Sequence, residues 1–323
     1  VRAVMRIAVT GASGFCGSQV ARAAAAQGAE VLCLGRSPGP VGRHVPWDAT
    51  AGRPDLAGAH LVIHCAAAVG DPAPGSPDEA RQYAVNVEGT ARLLEAAAGR
   101  PVVWVSSASV YDPRPDRSLV GEDHPTTGGH LNAYGRSKAA GERLALAAGA
   151  VVLRPRAVYG PGDPHLVPRL LERVRRGRLL LPGPDVALSL TAVQNLADAC
   201  LAAADWAPGA YNIADARPYR RDEAVRRVLR AHDREARIGH LPVRLAEFAA
   251  RTGRVPGLTP YAVDQLARSV VLDIGRARAT GWRPRWDLDT VLLRERRERL
   301  ERRARQERPE RRDRPERPER PGA

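Results

Sequence analysis

The segment Arg6-Ile-Ala-Val-Thr-Gly-Ala-Ser-Gly-Phe-Cys-Gly17, running into Ser18-Gln-Val-Ala-Arg-Ala-Ala-Ala-Ala-Gln27, decides the fold. Arg6 to Thr10 reads as a short buried strand, Gly11 to Gly17 as a glycine turn, and Ser18 to Gln27 as an alanine-rich helix. Glycines at 11, 14 and 17 permit a tight turn, close approach of backbone to a pyrophosphate, and close contact between helix and strand. The helix start then turns unpaired N–H groups toward the anion. In this strand–turn–helix context the spacing predicts a dinucleotide site that uses Gly11, Ser13, Gly14, Phe15 and Gly17.

Working outward, Val31–Leu34, Leu61–Cys65, Pro101–Val105 and Val151–Leu153 read as further strands, with helices over Glu79–Ala98 and Leu131–Ala148. Strands alternating with helices predict an α/β fold, a Rossmann-type doubly wound parallel sheet covered on both faces. After Tyr159 the alternation loosens. Helices are expected over His165–Arg176, Ala192–Ala204, Arg221–His232 and Leu241–Thr252, forming a smaller, mostly helical C-terminal substrate lobe. The expected division is a cofactor domain over 1–160 and a lobe over 161–293 with some segments returning to the sheet. A disordered charged tail is expected over 294–323, because mixed charge with almost no apolar content cannot build a core.

The formal charge of +14 invites a nucleic-acid role, but the chain has a single lysine among its 50 cationic residues. An arginine excess beside many Ala, Gly and Pro residues points to a compositional bias rather than a basic binding face. The tail alone holds 13 Arg against 8 Asp or Glu, net +5, leaving +9 for the rest. No nucleic-acid partner is expected. No apolar stretch approaches the roughly 18 residues of a membrane span, nor is there an apolar signal segment, so a cytoplasmic location away from membranes is expected. Cys16, Cys33, Cys65 and Cys200 are scattered without metal-ligand spacing, so no metal site is expected.

Two places select the cofactor and the chemistry. At the end of the second strand, Leu34-Gly35-Arg36-Ser37 lacks the carboxylate that would hold the ribose 2′-hydroxyl of NAD. Arg36 can pair a 2′-phosphate through its guanidinium and Ser37 can add a hydroxyl, so NADP is expected in preference to NAD. In Tyr134-Gly-Arg-Ser-Lys138 the chain keeps its lone lysine, four residues from a tyrosine and on the same helix face. A nearby ammonium would lower the phenol's ordinary pKa of about 10 toward the working range. A hydroxyl facing that tyrosine is expected from Val103-Trp-Val-Ser-Ser-Ala-Ser-Val-Tyr111. Ser107 is chosen over Ser109 to hold the substrate oxygen.

Together these residues resemble the extended short-chain dehydrogenase/reductase superfamily, the NAD-dependent epimerase/dehydratase family, over about Met5 to Leu293. The resemblance is carried by the glycine turn, Val62-Ile-His-Cys-Ala-Ala67, Asn86-Val-x-Gly-Thr90, Ser106-Ser-x-x-Val-Tyr111, Tyr134-x-x-x-Lys138 and Leu153-Arg-Pro-x-x-Val-Tyr-Gly160. It implies Ser107 as the catalytic hydroxyl, Tyr134 as the acid/base and Lys138 as the ribose-binding partner. It also implies Asp48 beside adenine, Ala66 and Ala67 beside the adenosine ribose, and Asn86 either at the cofactor or tying strand to helix. Nucleotide-sugar epimerases and dehydratases of this superfamily, which recycle NAD internally, carry an asparagine and an arginine that grip a diphosphate. Ala157 and Leu188 stand in those places here.

Leu190-Thr-Ala-Val-Gln-Asn195, Leu258-Thr-Pro-Tyr261, Asp273-Ile-Gly-Arg-Ala277 and Gly281-Trp-Arg-Pro284 resemble instead the 3β-hydroxysteroid dehydrogenase-like and 2-alkyl-3-oxoalkanoate reductase subgroup. The expected activity is therefore NAD(P)-dependent interconversion of a ketone and a secondary alcohol, on a 3-oxo/3-hydroxy acid or sterol-like substrate. A nucleotide-sugar epimerase or dehydratase is the alternative, a non-catalytic NADP-binding regulator is disfavoured by the intact Ser–Tyr–Lys set, and the resemblance makes a homodimer the expected assembly.

Overall fold

The computed structural model describes residues 4–306 apart from 254 and 256. Its centre is a seven-stranded sheet of β1 (Arg6–Thr10), β2 (Glu30–Gly35), β3 (Arg43–Pro46), β4 (Leu61–His64), β5 (Val102–Val105), β6 (Val151–Pro155) and β7 (Gly209–Ile213). All neighbours are parallel, in the spatial order β3-β2-β1-β4-β5-β6-β7. The order reverses between β1 and β4, so a crevice opens outside their carboxyl ends, where such folds bind ligands.

Both faces of the inner strands are covered, which is why β4 and β5 are continuous apolar runs rather than alternating ones. Side chains alternate across the sheet, so Ile7 and Val9 join one core layer while Ala8 joins the other. The first layer is closed by α1 (Phe15–Ala26) and α6 (Val193–Ala202). The second is closed by α3 (Gly89–Ala97) and α4 (Ala133–Ala147), packed on Leu32, Leu34, Val62 and Trp104.

The helix expected as one piece over 79–98 is built in three parts. α2 (Pro77–Tyr83) starts at Ser76, whose hydroxyl accepts from Glu79 N–H at 3.2 Å, with Pro77 in the first helical position. A wider π turn over Ala84–Glu88 then leads into α3. Two sheet strands escape the sequence pattern. β3 is four residues long with one buried side chain, Val45, and β7 enters the sheet only after some fifty residues that follow β6, with most of the lobe still to come.

The lobe holds α5 (Leu166–Glu172), α7 (Arg221–Ala231), α8 (Val243–Arg251) and α9 (Pro260–Ala267). It also holds a parallel ribbon, Arg178–Pro182 against Arg237–Leu241, that no periodicity announces. α10 (Gly275–Ala279) packs beside β7. α11 (Leu288–Gln306) is continuous across position 294, where the sequence reading starts a disordered tail. The remainder of that tail, residues 307–323, lies outside the described residues. No described helix is long and apolar enough to cross a membrane.

Candidate active site

The glycine turn is built as a cradle. Gly11 has φ +64°, and a Cβ there would sit 2.8 Å from the Ala66 backbone. At Gly17 a Cβ would lie 2.3 Å from the Gly11 carbonyl oxygen, so any side chain would push α1 off the turn. α1 begins after Gly14 with no side-chain cap, which leaves its first N–H groups facing the crevice, as an anion requires. Ser13 and Gly14 lie in this turn, and Phe15 opens α1. The residues present therefore fit a dinucleotide pyrophosphate.

Thr10 ties the turn to the next strand end. Its hydroxyl pairs with His64 Nδ1 at 2.7 Å and accepts from the Ala66 N–H at 3.1 Å, setting Ala66 beside Gly11 with Ala67 next along the chain. Burial holds His64 neutral, with its pKa down at about 3, and the nearby Lys138 charge adds to that. Asn86 is fully engaged with protein groups. Its Oδ1 accepts from Ala68 N–H at 2.8 Å, and its Nδ2 donates to Ala68 O and Ser137 Oγ, both at 2.9 Å. Of the two roles open to it, the structure gives Asn86 the tie between the loop after β4 and α4.

At the far edge of the crevice, Arg36 and Ser37 are exposed at the end of β2. Asp48 closes a turn by accepting from the Thr50 N–H at 2.8 Å and the Thr50 hydroxyl at 2.7 Å. Those bonds pull its carboxyl below the ordinary range, helped by the charges of Arg36 and Arg81. Arg36 and Arg81 thus both lie close enough to Asp48 for their charges to act on its carboxyl. Arg81 was not singled out by sequence, and in a chain this rich in arginine nothing marks it.

α4 supplies the tyrosine and the lysine. Asn132 caps it, its side chain accepting from Gly135 N–H at 2.9 Å. Positions 134, 138 and 142 then fall on one helix face. Lys138 is 1% exposed; its Nζ donates to the Val105 carbonyl at 2.6 Å and lies 3.7 Å above the Trp104 ring. Burial drags its pKa from 10.5 to about 7, against the pull of Glu142. Glu142 in turn pairs with Arg154 at 2.5 Å and takes a short hydrogen bond from Ser106.

Tyr134 departs from the expectation. Burial, the largest effect, raises its pKa above the ordinary value, and the Tyr261 phenol adds to this while the Ser107 hydroxyl opposes it. Lys138 is directed to the Val105 carbonyl, and its lowering influence on Tyr134 does not emerge. The Cys16 thiol, in the first turn of α1 just after the glycine turn, is close enough to couple to both Tyr134 and Lys138. The turn and the tyrosine–lysine pair therefore belong to one site.

Ser107 follows β5 and donates to Ser109 Oγ at 3.0 Å, and Ser109 pairs with the Tyr261 hydroxyl at 2.7 Å. The two competing serines are thus linked members of one chain of hydroxyls. Tyr261 comes from α9 in the lobe, more than a hundred residues away. Sequence reading noted it only as part of a subgroup pattern. Glu142 could have been found from its spacing, four residues beyond Lys138.

Neither Ala157 nor Leu188, the places where the resemblance expects a diphosphate-gripping side chain, carries a polar group. Ala157 sits at φ 45°, and Leu188 is buried in a short strand against Tyr219. All four cysteines are free, and among the described residues no cluster of His, Cys, Asp and Glu is placed to hold a metal.

Residues 7–214 match the model of the NAD dependent epimerase/dehydratase family. The chain is 34% identical to a 2-alkyl-3-oxoalkanoate reductase of Stenotrophomonas maltophilia over 257 residues, covering 70% of this chain and 76% of that one. It is 30% identical to a 4-hydroxy-2-methyl-3-oxo-4-farnesyl-3,4-dihydroquinoline-1-oxide ketoreductase of Stigmatella aurantiaca, covering 85% and 90%. Among solved structures it resembles MoeE5 in complex with UDP-glucuronic acid and NAD, at 26% identity and a TM-score of 0.72, over 91% of this chain and 99% of that one. A short-chain dehydrogenase/reductase superfamily protein of Agrobacterium tumefaciens with bound NAD shares the fold at 23% identity and a TM-score of 0.74, over 93% and 99%. The chain belongs to the NAD dependent epimerase/dehydratase family, the extended short-chain dehydrogenases/reductases, and is an oxidoreductase that uses a nicotinamide dinucleotide.

Proposed function

We propose that the protein is an NADPH-dependent ketone reductase acting on a 3-oxo acid or a sterol-like ketone. The observation that carries this reading is the meeting of Ser107, Tyr134 and Lys138 beside the glycine turn, with no polar group at Ala157 or Leu188. The names of the relatives support it, two of them being reductases of 3-oxo compounds.

The nicotinamide, when bound, supplies the hydride. Ser107 donates a hydrogen bond to the substrate oxygen as negative charge grows there, and Tyr134 delivers the proton to that oxygen. A phenol held above its ordinary pKa stays protonated at neutral pH, which suits a proton donor and so the reductive direction. Lys138 brings a compact buried cation next to the tyrosine and, by its place, to the cofactor ribose. Gly11, Ser13, Gly14, Phe15 and Gly17 hold the pyrophosphate. Asp48, Ala66 and Ala67 flank the adenosine, and Arg36 with Ser37 takes a 2′-phosphate, favouring NADP over NAD.

Tyr134→Phe tests the reading. It should lower ketone turnover with NADPH by about 1,000-fold while leaving the NADPH dissociation constant unchanged, because one proton donor is lost and packing is kept. Full turnover in that variant would refute the assignment. Mass spectrometry of the nucleotide released on denaturation is the companion measurement. Stoichiometric retained NAD would instead favour an internally recycling epimerase or dehydratase.

A further inference from the structure

Among the described residues four arginines are almost completely buried, and three of them have a carboxylate against the guanidinium. Arg117 is paired with Asp264 at 2.6 Å, Arg154 with Glu142 at 2.5 Å, and Arg221 with Asp222 at 2.9 Å. Arg156 is the exception. It is 4% exposed, and its guanidinium donates only to neutral oxygens. These are Ser189 O at 2.9 Å, Gln265 O at 3.1 Å and Gln265 Oε1 at 3.2 Å. Its Nε–H is buried with no partner, and among the described residues no carboxylate forms an ion pair with it. Asp264, whose charge acts on it from a distance, is already held by Arg117. A buried cation without a counter-ion is costly, and arginine stays charged even where burial is complete.

Its position gives the charge a use. Gln265 and Tyr261 stand four residues apart on α9 and so share a face. Gln265 grips Arg156, while Tyr261 reaches Ser109 and through it Ser107. The Tyr261 phenol also couples electrostatically to both Arg156 and Tyr134. The unpaired cation is therefore one aromatic side chain away from the hydroxyls that would hold a reacting ketone.

We propose that Arg156 and the Tyr261 hydroxyl together bind a carboxylate of the substrate, an inference that rests on the reductase reading. In a 3-oxo acid one carbon separates the carboxylate from the ketone carbon. With the ketone oxygen on Ser107 and Tyr134, the carboxylate falls on the α9 side, toward Tyr261 and Arg156. The anion completes the charge balance that the fold leaves open, and the Nε edge and the phenol offer it a donor each. The site accordingly selects free 3-oxo acids over their esters and over neutral ketones.

The test compares 3-oxodecanoate with its methyl ester, using NADPH and the full chain. Wild type should prefer the acid in kcat/KM. In Arg156→Gln that preference should fall by about 30- to 100-fold, mainly through KM, as expected for the loss of a charged hydrogen-bond partner. Tyr261→Phe keeps the ring packing and removes one donor, so the preference should fall by about 5-fold. An acid-over-ester ratio unchanged in both variants, or no preference in wild type, overturns the proposal.

If wild type reduces neither compound, the reductase reading fails, and calorimetric binding of 3-hydroxydecanoate to the NADP⁺-saturated protein judges the anchor alone. Binding weakened at least 30-fold in Arg156→Gln, or about 5-fold in Tyr261→Phe should Arg156→Gln not fold, supports the carboxylate site. Equal binding by wild type and variant overturns it.

Discussion

Replacing Lys138 by methionine should make the ligand-free protein more stable at pH 7, and that advantage should shrink as the solution is made alkaline. In the unfolded chain the ammonium keeps its proton up to about pH 10.5, whereas burial brings the folded value to about 7. Between those values the unfolded chain binds more protons, so folding stability rises with pH, and the full cost of the buried ammonium is felt below pH 7. A difference of this size corresponds to about 5 kcal/mol at low pH, and the change between pH 7 and pH 9 to about 2 kcal/mol.

Urea unfolding of wild type and Lys138→Met at both pH values gives the gap between them, with every other titrating group common to the pair. The single lysine allows a direct reading as well. Protein grown with side-chain-labelled lysine carries one labelled lysine side chain, at position 138, and its carbon shift should titrate near pH 7. A midpoint above pH 9, or a stability gap constant to within about 0.5 kcal/mol between pH 7 and 9, would refute the account of a desolvated ammonium over Trp104.

Other outcomes follow from separate features. Arg36→Ala should weaken NADPH binding by about 10- to 100-fold and leave NADH binding nearly as it is, measured by titrating the cofactor's fluorescence, since only the 2′-phosphate loses a charged partner. Gly17→Ala should abolish tight cofactor binding and cost about 1–3 kcal/mol in urea unfolding, because the new methyl meets the Gly11 carbonyl and α1 must move. Glu142→Gln should cost about 3–5 kcal/mol, leaving Arg154 buried beside Tyr111 without its counter-ion.

The first half of the chain was legible because its signals are local. The glycine turn, the apolar runs of β1, β2, β4, β5 and β6, and the four-residue step from Tyr134 to Lys138 each declare themselves within a dozen residues. β3 did not, since Arg43-His-Val-Pro46 has neither a long apolar run nor alternation. Tyr261 and Gln265 were illegible as site residues for a different reason. Their relevance exists only once α9 is docked against Ser109 and Arg156, a contact set by tertiary packing. The expected effect of Lys138 on Tyr134 failed because same-face spacing fixes proximity along a helix but not the direction of a flexible side chain. Lys138 turns to a backbone carbonyl and an indole, and desolvation of the phenol then dominates.

The late arrival of β7 has a consequence for how the protein is made. Until residues 209–213 have left the ribosome, β6 is an open border whose amide and carbonyl groups lack a neighbour. The side chains of Tyr211 and Ile213 belong to the first core layer, so that layer is also incomplete until then. During synthesis the nascent chain therefore presents an adhesive edge for the time needed to translate some fifty residues of lobe, a few seconds to about ten at ordinary elongation rates. Chaperone dependence and aggregation on overexpression should thus track the span between β6 and β7, and a fragment ending near residue 160 should precipitate rather than serve as a miniature cofactor domain.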